Sequence, residues 1–137
     1  MTFLLDTNIW LERLLDQEKA AEVDQLLREV PSNKLAISDF SLHSIGVILW
    51  HLNRRDVFSI FVRDLFSESS ISLLSLSGID HLEMAEVQSK HRLDFDDCYQ
   101  YTICKKFELG LVTFDQDFNK TDLAVFSPLA AIKKINN

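Results

Sequence analysis

Four aspartates stand where they can do chemistry together. Asp6 closes the apolar run Phe3-Leu4-Leu5, Asp97 lies in Leu93-Asp94-Phe95-Asp96-Asp97, and Asp115 and Asp117 follow Leu111-Val112-Thr113-Phe114. Two of these groups come directly after short, strand-like runs; the third opens an amphipathic stretch. In an open parallel sheet, strand ends and neighbouring helix starts meet along one edge, where ligands bind. Carboxylates distant in sequence then converge, and each pair repels by about 3 kcal/mol at ~5 Å and an effective dielectric of ~20. A divalent cation relieves that repulsion, so the spacing predicts a metal site.

Each segment also has a plainer use. Asp6 can cap a first helix, although Thr7 or Asn8 would serve equally. Asp97 stands in the first turn of a helix that Asp94 can cap, where a carboxylate gains about 0.3–1 kcal/mol from the helix dipole. That same placement aims it off the helix start. Asp115 and Asp117 can belong to an Asp-rich turn, with Phe118 anchoring it in the core. Only the three segments taken together point to a shared ion.

The elements that must position these acids alternate. Strands are expected at Thr2 to Leu5, Leu35 to Ile37, Ile71 to Leu74, Leu111 to Thr113 and Leu123 to Phe126. Between them, Asn8 to Leu15 reads as helical, and Ala20, Val23, Leu27 and Val30 recur at helical spacing up to Pro31. Ser38 or Asp39 can cap a helix with Leu42, Ile45, Leu49 and Leu52 on one face. Val57, Phe58, Phe61 and Leu65 mark another, and Ser77 is expected to cap one carrying Leu82, Ala85 and Val87. From Asp94 to about Glu108, Phe95, Tyr99, Thr102, Ile103 and Phe107 are available inward, with Gly110 as the stop. A short helical tail follows Pro128. This alternation implies a parallel sheet covered on both faces.

Composition bounds the function. The 137 residues fit one domain, 1–137, and 47% hydrophobic content with mean hydropathy +0.02 suits a globular protein. Cys98 and Cys104 fall on different helix faces and are not expected to pair. No stretch reads as a signal peptide or a membrane span, so a cytoplasmic protein with no membrane partner is expected. Net charge is −7, which counts against general nucleic-acid affinity, since phosphate binding rests on Lys and Arg. A local basic rim can coexist with that total; Arg54-Arg55, Lys90 with Arg92, Lys105-Lys106 and Lys133-Lys134 are its candidates. There is no Gly-rich phosphate loop and no His-Glu-x-x-His pattern. A phosphoaspartate mechanism at Asp6 would want a second Asp where Asn8 stands.

The segments LLDTNIW, ISDFSLHSI, DFDDCYQYTICKKFELG and LVTFDQDF together resemble PIN domains, in particular the VapC-like toxins of type II toxin–antitoxin pairs. The resemblance covers nearly the whole chain. It implies a three-layer α/β/α domain with a central, mostly parallel sheet of four or five short strands. It also implies a Mg²⁺- or Mn²⁺-dependent endoribonuclease with an RNA substrate, a small antitoxin partner and a homodimer as candidate assembly. The family's acids correspond to Asp6, to Asp97 (with Asp96 as the alternative) and to Asp115, with Asp117 as an auxiliary metal ligand. Asn8 and Thr113 are expected to donate hydrogen bonds that orient the carboxylates.

One position departs from the family. Its pattern after strand two, Ile-Ser-x-x-x-Leu-Glu, aligns the usual Glu with His43. Asp39, one helical turn earlier, is a candidate substitute, and His43 is itself a candidate metal ligand or substrate contact. The alternative function that follows is a catalytically impaired PIN-like module that binds RNA or protein. Trp50, Phe58 and Phe61 are candidates for a self-contact or an antitoxin groove.

Overall fold

A computed structural model describes residues 1–137. The chain runs β1 (Phe3–Leu5), α1 (Thr7–Leu14), α2 (Ala20–Glu29), β2 (Leu35–Ser38), α3 (Asp39–His51), α4 (Arg55–Phe66), β3 (Ser72–Leu74), α5 (His81–His91), α6 (Phe95–Phe107), β4 (Gly110–Val112), β5 (Val125–Phe126) and α7 (Pro128–Asn136). All five strands pair in parallel, in the order β3-β2-β1-β4-β5. The winding therefore reverses between β1 and β4, where Leu5 pairs with Val112. That reversal opens a crevice at the strands' C-terminal ends.

Period-two alternation divides the apolar strands between two cores. Phe3, Leu5, Leu35, Ile37 and Val112 face a layer built from α1, α2, α3, α4 and α7. Leu4, Ala36 and Leu111 face the opposite layer, built largely from α5 and α6 and closed by Phe118. Burying each such side chain contributes about 1.5–3 kcal/mol, so both faces of the sheet must be covered. Trp10 meets Phe61 edge to face at 5.5 Å, and both are buried. Phe61 is thus a core residue and not part of a contact surface, whereas Trp50 is 53% exposed. Cys98 and Cys104 are buried free thiols. No helix is long and apolar enough to cross a membrane.

Several local expectations are corrected. Helix α6 buries every residue from Cys98 to Cys104, so its inward side is not a stripe; Phe95 and Phe107 are left exposed at its ends. The stop of α6 is Glu108, held in the left-handed region at φ 56, not Gly110. The latter lies in β4, where a Cβ would come within 3.0 Å of Met1 Sδ and Phe126 Cε1 and 3.1 Å of Phe3 Cδ1. Helix α5 starts three residues later than a Ser77 cap would allow. The Ser77 backbone N–H instead donates to Asp80 Oδ2 at 2.8 Å. The buried residue of α5 is Met84, and Leu82 is exposed. Leu52 is also exposed, because it is the residue at which α3 ends.

Gly110 gives a direct test of this packing. Gly110→Ala forces three neighbours apart and is expected to lower stability by about 1–3 kcal/mol in urea unfolding. Gly78 serves as the control, because a Cβ added there would meet nothing within 4 Å. Gly78→Ala should be neutral or slightly stabilising.

Candidate metal centre

Three segments deliver carboxylates to the crevice. The ladder extends one residue past each strand: the Asp6 N–H donates to the Val112 carbonyl at 2.9 Å, and the Thr113 N–H to the Phe126 carbonyl at 3.1 Å. Asp6 then caps α1, its Oδ1 accepting from the Thr7 N–H at 2.8 Å. The capping use and the cleft position therefore coincide in one residue. Asp94 caps α6 by accepting from the Asp97 N–H at 3.0 Å, which fixes Asp97 in the first turn. After β4, Asp115 Oδ1 accepts from the Asp117 N–H at 2.8 Å, folding the loop into a 3-10 turn pinned by buried Phe118.

Asp6, Asp96, Asp97 and Asp115 line a cleft of about 280 Å³; Asp117 is exposed and is not on its wall. Ligand oxygens of Asp97, Asp115 and Asp117 all lie within 4.8 Å of one another. Oxygens bound to one ion at roughly 2.0–2.6 Å cannot be further apart than about 4–5 Å, so this hard-oxygen trio fits a divalent cation. Asp6 shares the cleft but is not one of the trio. Asp96 reaches the rim and is exposed.

Asp6 is only 6% exposed and sits in a polar clamp. Its Oδ1 also accepts from Gln100 Nε2 at 3.0 Å, and its Oδ2 accepts from Thr113 Oγ1 at 2.8 Å. Asn8 Nδ2 donates to Thr113 Oγ1 at 3.1 Å and approaches Asp6 Oδ2 at 3.5 Å. The Asp115 N–H donates to the same Thr113 hydroxyl at 3.0 Å. Asn8 and Thr113 thus link Asp6 to the Asp115 loop. Burial raises the Asp6 pKa, against the hydrogen bonds from Gln100, Thr113 and Thr7, and the Asp115 charge raises it further. Asp97 is pushed up to about 7, first by burial and then by the charges of Asp94, Asp115 and Asp6. Without a cation, the site carries more negative charge than it can comfortably hold.

The remaining candidates fall elsewhere. On α3 the cleft wall is Phe40, Ser44 and Ile48, one residue per turn. His43 is exposed and not on that wall. Asp39 is not on it either; its Oδ1 accepts from the Tyr99 hydroxyl at 2.6 Å. Of the basic pairs, Lys105 and Lys106 are held by Asp122 and Asp80 at 2.9 and 2.6 Å.

Gln100 and Ser44 are members of the site that the sequence alone does not single out. Gln100 is 2% exposed; besides Asp6, its Nε2 donates to Ser41 Oγ at 2.9 Å, and its Oε1 accepts from Ser38 Oγ at 2.7 Å. Its signal is the three-residue spacing from Asp97, which puts both on one helix face.

The fold recurs among solved structures. A toxin–antitoxin complex from Klebsiella pneumoniae superposes with TM-score 0.74 at 20% identity, over 93% of this chain and 98% of that one. VapC20 from Mycobacterium tuberculosis, described as a sarcin–ricin loop cleaving toxin, gives 0.75 at 13% identity over 89% and 96%. VapBC2 from Rickettsia felis, bound to a DNA fragment from its promoter, gives 0.69 at 15% over 93% and 98%. No curated protein sequence matches the chain. The sequence signature of the PIN domain, however, matches residues 3–123; with a five-stranded parallel sheet and acids gathered at its switch point, this chain belongs to the PIN domain family.

Proposed function

We propose that residues 1–137 form a divalent-metal-dependent endoribonuclease, the toxin of a toxin–antitoxin pair. The observation that carries this reading is the meeting of Asp6, Asp97 and Asp115, from three distant segments, in one cleft at the sheet's switch point. Asp97, Asp115 and Asp117 would hold the ion. An all-carboxylate set suits Mg²⁺ or Mn²⁺. When bound, the ion supplies an activated water and charge stabilisation for phosphodiester hydrolysis.

The chain's own residues do the rest. Gln100, Thr113 and the Thr7 N–H fix Asp6 in one orientation facing the cleft. The Asp117 N–H holds the Asp115 carboxylate, and the Asp94 cap fixes the backbone of Asp97 in the first turn of α6, so part of the site is positioned before substrate arrives. The antitoxin reading is supported by the toxin–antitoxin complexes among the structural neighbours. Val47 and Trp50, each more than half exposed on α3, with Phe58, Val62 and Phe66 of α4 beside Trp50, offer an apolar face for the antitoxin or a second copy.

A second reading is favoured by one observation: α3 brings Phe40, Ser44 and Ile48 to the cleft and no carboxylate. On that reading the chain is a PIN-like module that binds RNA or protein without cutting it. Titration of Mg²⁺ and Mn²⁺ against a structured RNA separates the two. The nuclease reading expects metal-dependent cleavage that Asp6→Asn reduces at least about a hundredfold. RNA binding without products at any metal concentration supports the module.

The site's protonation makes a further prediction. Asp97 holds its proton up to about pH 7 in the fold, whereas an unfolded Asp releases it near 3.8. Between those values the folded state binds more protons, so this group makes the metal-free protein less stable as pH rises. Asp97→Asn is therefore expected to raise the melting temperature of the metal-free protein by a few degrees at pH 8 and hardly at all at pH 4. In calorimetry, wild-type Mg²⁺ affinity should rise from pH 6 to pH 8. An affinity that is flat with pH contradicts a site in which Asp97 must lose its proton to bind the ion.

A further inference from the structure

A row of rings steps outward beside the acidic cleft. Tyr99 is its fixed end: the ring is 5% exposed, its hydroxyl donates to Asp39 Oδ1 at 2.6 Å and accepts from the Leu76 N–H at 3.0 Å. Phe40 lies against Tyr99, with centroids 5.4 Å apart and planes at 33°. Phe95 lies against Phe40 at 6.2 Å and 47°. Phe40 is part of the same cleft wall as Asp6, Asp97 and Asp115. Phe95 opens α6 two residues before Asp97 and is 60% exposed. Beyond it, a groove of about 700 Å³ runs between α5 and α6, with Met84 and Leu93 in its apolar wall and His81 and Gln88 as polar groups.

We infer that this row is a stacking platform for an unpaired nucleobase next to the reacting phosphate, with Phe95 the ring that meets the base. The inference rests on the nuclease reading of the cleft and adds to it the residues that position the base. Three considerations carry it. First, the net charge is −7, and Lys105 and Lys106 are already paired with Asp122 and Asp80. Those two cations are not free to neutralise phosphate, and an uncharged source of binding energy adds to what the others supply. Stacking on an aromatic side chain is such a source and tolerates any base.

Second, the platform is preorganised. Tyr99 is anchored at both lone pair and proton, and Phe40 is packed between it and Phe95, so a base meets a ring already in place and little side-chain freedom is lost. Third, the exposed ring adjoins the acids themselves. A base resting on Phe95 leaves its neighbouring phosphate directed at the cleft, and the groove beyond supplies His81 and Gln88 for its polar edge. Bases inside a duplex are stacked on one another and cannot use such a surface.

The test uses the full chain carrying Asp6→Asn, which separates binding from cleavage, and a short unstructured oligoribonucleotide containing 2-aminopurine. The platform predicts fluorescence quenching on binding, at least about tenfold weaker affinity with Phe95→Ala added, and recovery with Phe95→Tyr. A duplex of the same sequence should compete at least about tenfold less well. Phe95 is exposed, so its replacement leaves the core intact. Unchanged affinity and quenching with Phe95→Ala overturn the platform, as does a duplex that competes equally. Phe95→Ala that keeps RNA affinity but loses a protein partner also overturns it and assigns the row to a protein interface. The two readings fail separately. Cleavage by wild type with an unaltered KM in Phe95→Ala sinks the platform alone. Phe95-dependent quenching without cleavage in Mg²⁺ or Mn²⁺ sinks the nuclease reading and leaves the platform standing.

Discussion

Repulsion among carboxylates at the β1/β4 switch point is the constraint around which the rest of the structure is arranged. A chain gains nothing in stability by gathering Asp6, Asp97 and Asp115 in one place; burial and mutual charge oppose it. The arrangement persists because the surrounding structure over-determines it. Two buried cores hold the strands in register, and helix caps and tight turns fix each acid to a strand end or helix start. Thr113 links Asp6 to the Asp115 loop through one hydroxyl. Such stored electrostatic strain is what a cation would release.

Gln100 has a central place in that arrangement. A buried amide between Asp6, Ser38 and Ser41 satisfies its own donors and acceptor while joining α6 to β1 and to the start of α3. Removing any one partner would leave a buried polar group unpaired, which costs more than a hydrogen bond adds. The network therefore ties three elements to one geometry of Asp6. On α3 the cleft wall carries Ser44 and no carboxylate; the clustered ligand oxygens are those of Asp97, Asp115 and Asp117.

What is legible in the sequence is what short-range physics specifies. Apolar runs broken by Asp6 and Asp115 mark the central strands and their ends, Asp94 is readable as a cap, and Phe118 as an anchor. The parallel sheet follows from alternation. Less legible is whatever depends on the rotation of a helix or on packing from several sides. Each residue turns a helix by about 100°, so a one-residue difference in aligning a short motif exchanges His43 for Ser44. Gln100 escapes notice because a polar side chain in a helix ordinarily faces water, and α6 is buried on nearly all sides over seven residues. Residue type alone suggests an inward Phe95, yet its place at the first turn leaves it in solvent. Gly110 suggests a helix stop, whereas its lack of a side chain answers to Met1, Phe3 and Phe126.

The central claim is that Asp97, Asp115 and Asp117, gathered beside Asp6 at the switch point, hold one divalent ion. Anomalous diffraction from crystals grown with Mn²⁺ tests it most directly. The predicted result is a manganese peak within coordination distance of Asp97, Asp115 and Asp117, with Asp6 facing the same ion or its waters. A manganese peak away from this cleft, or none at saturating Mn²⁺ with the carboxylates still gathered, would contradict it.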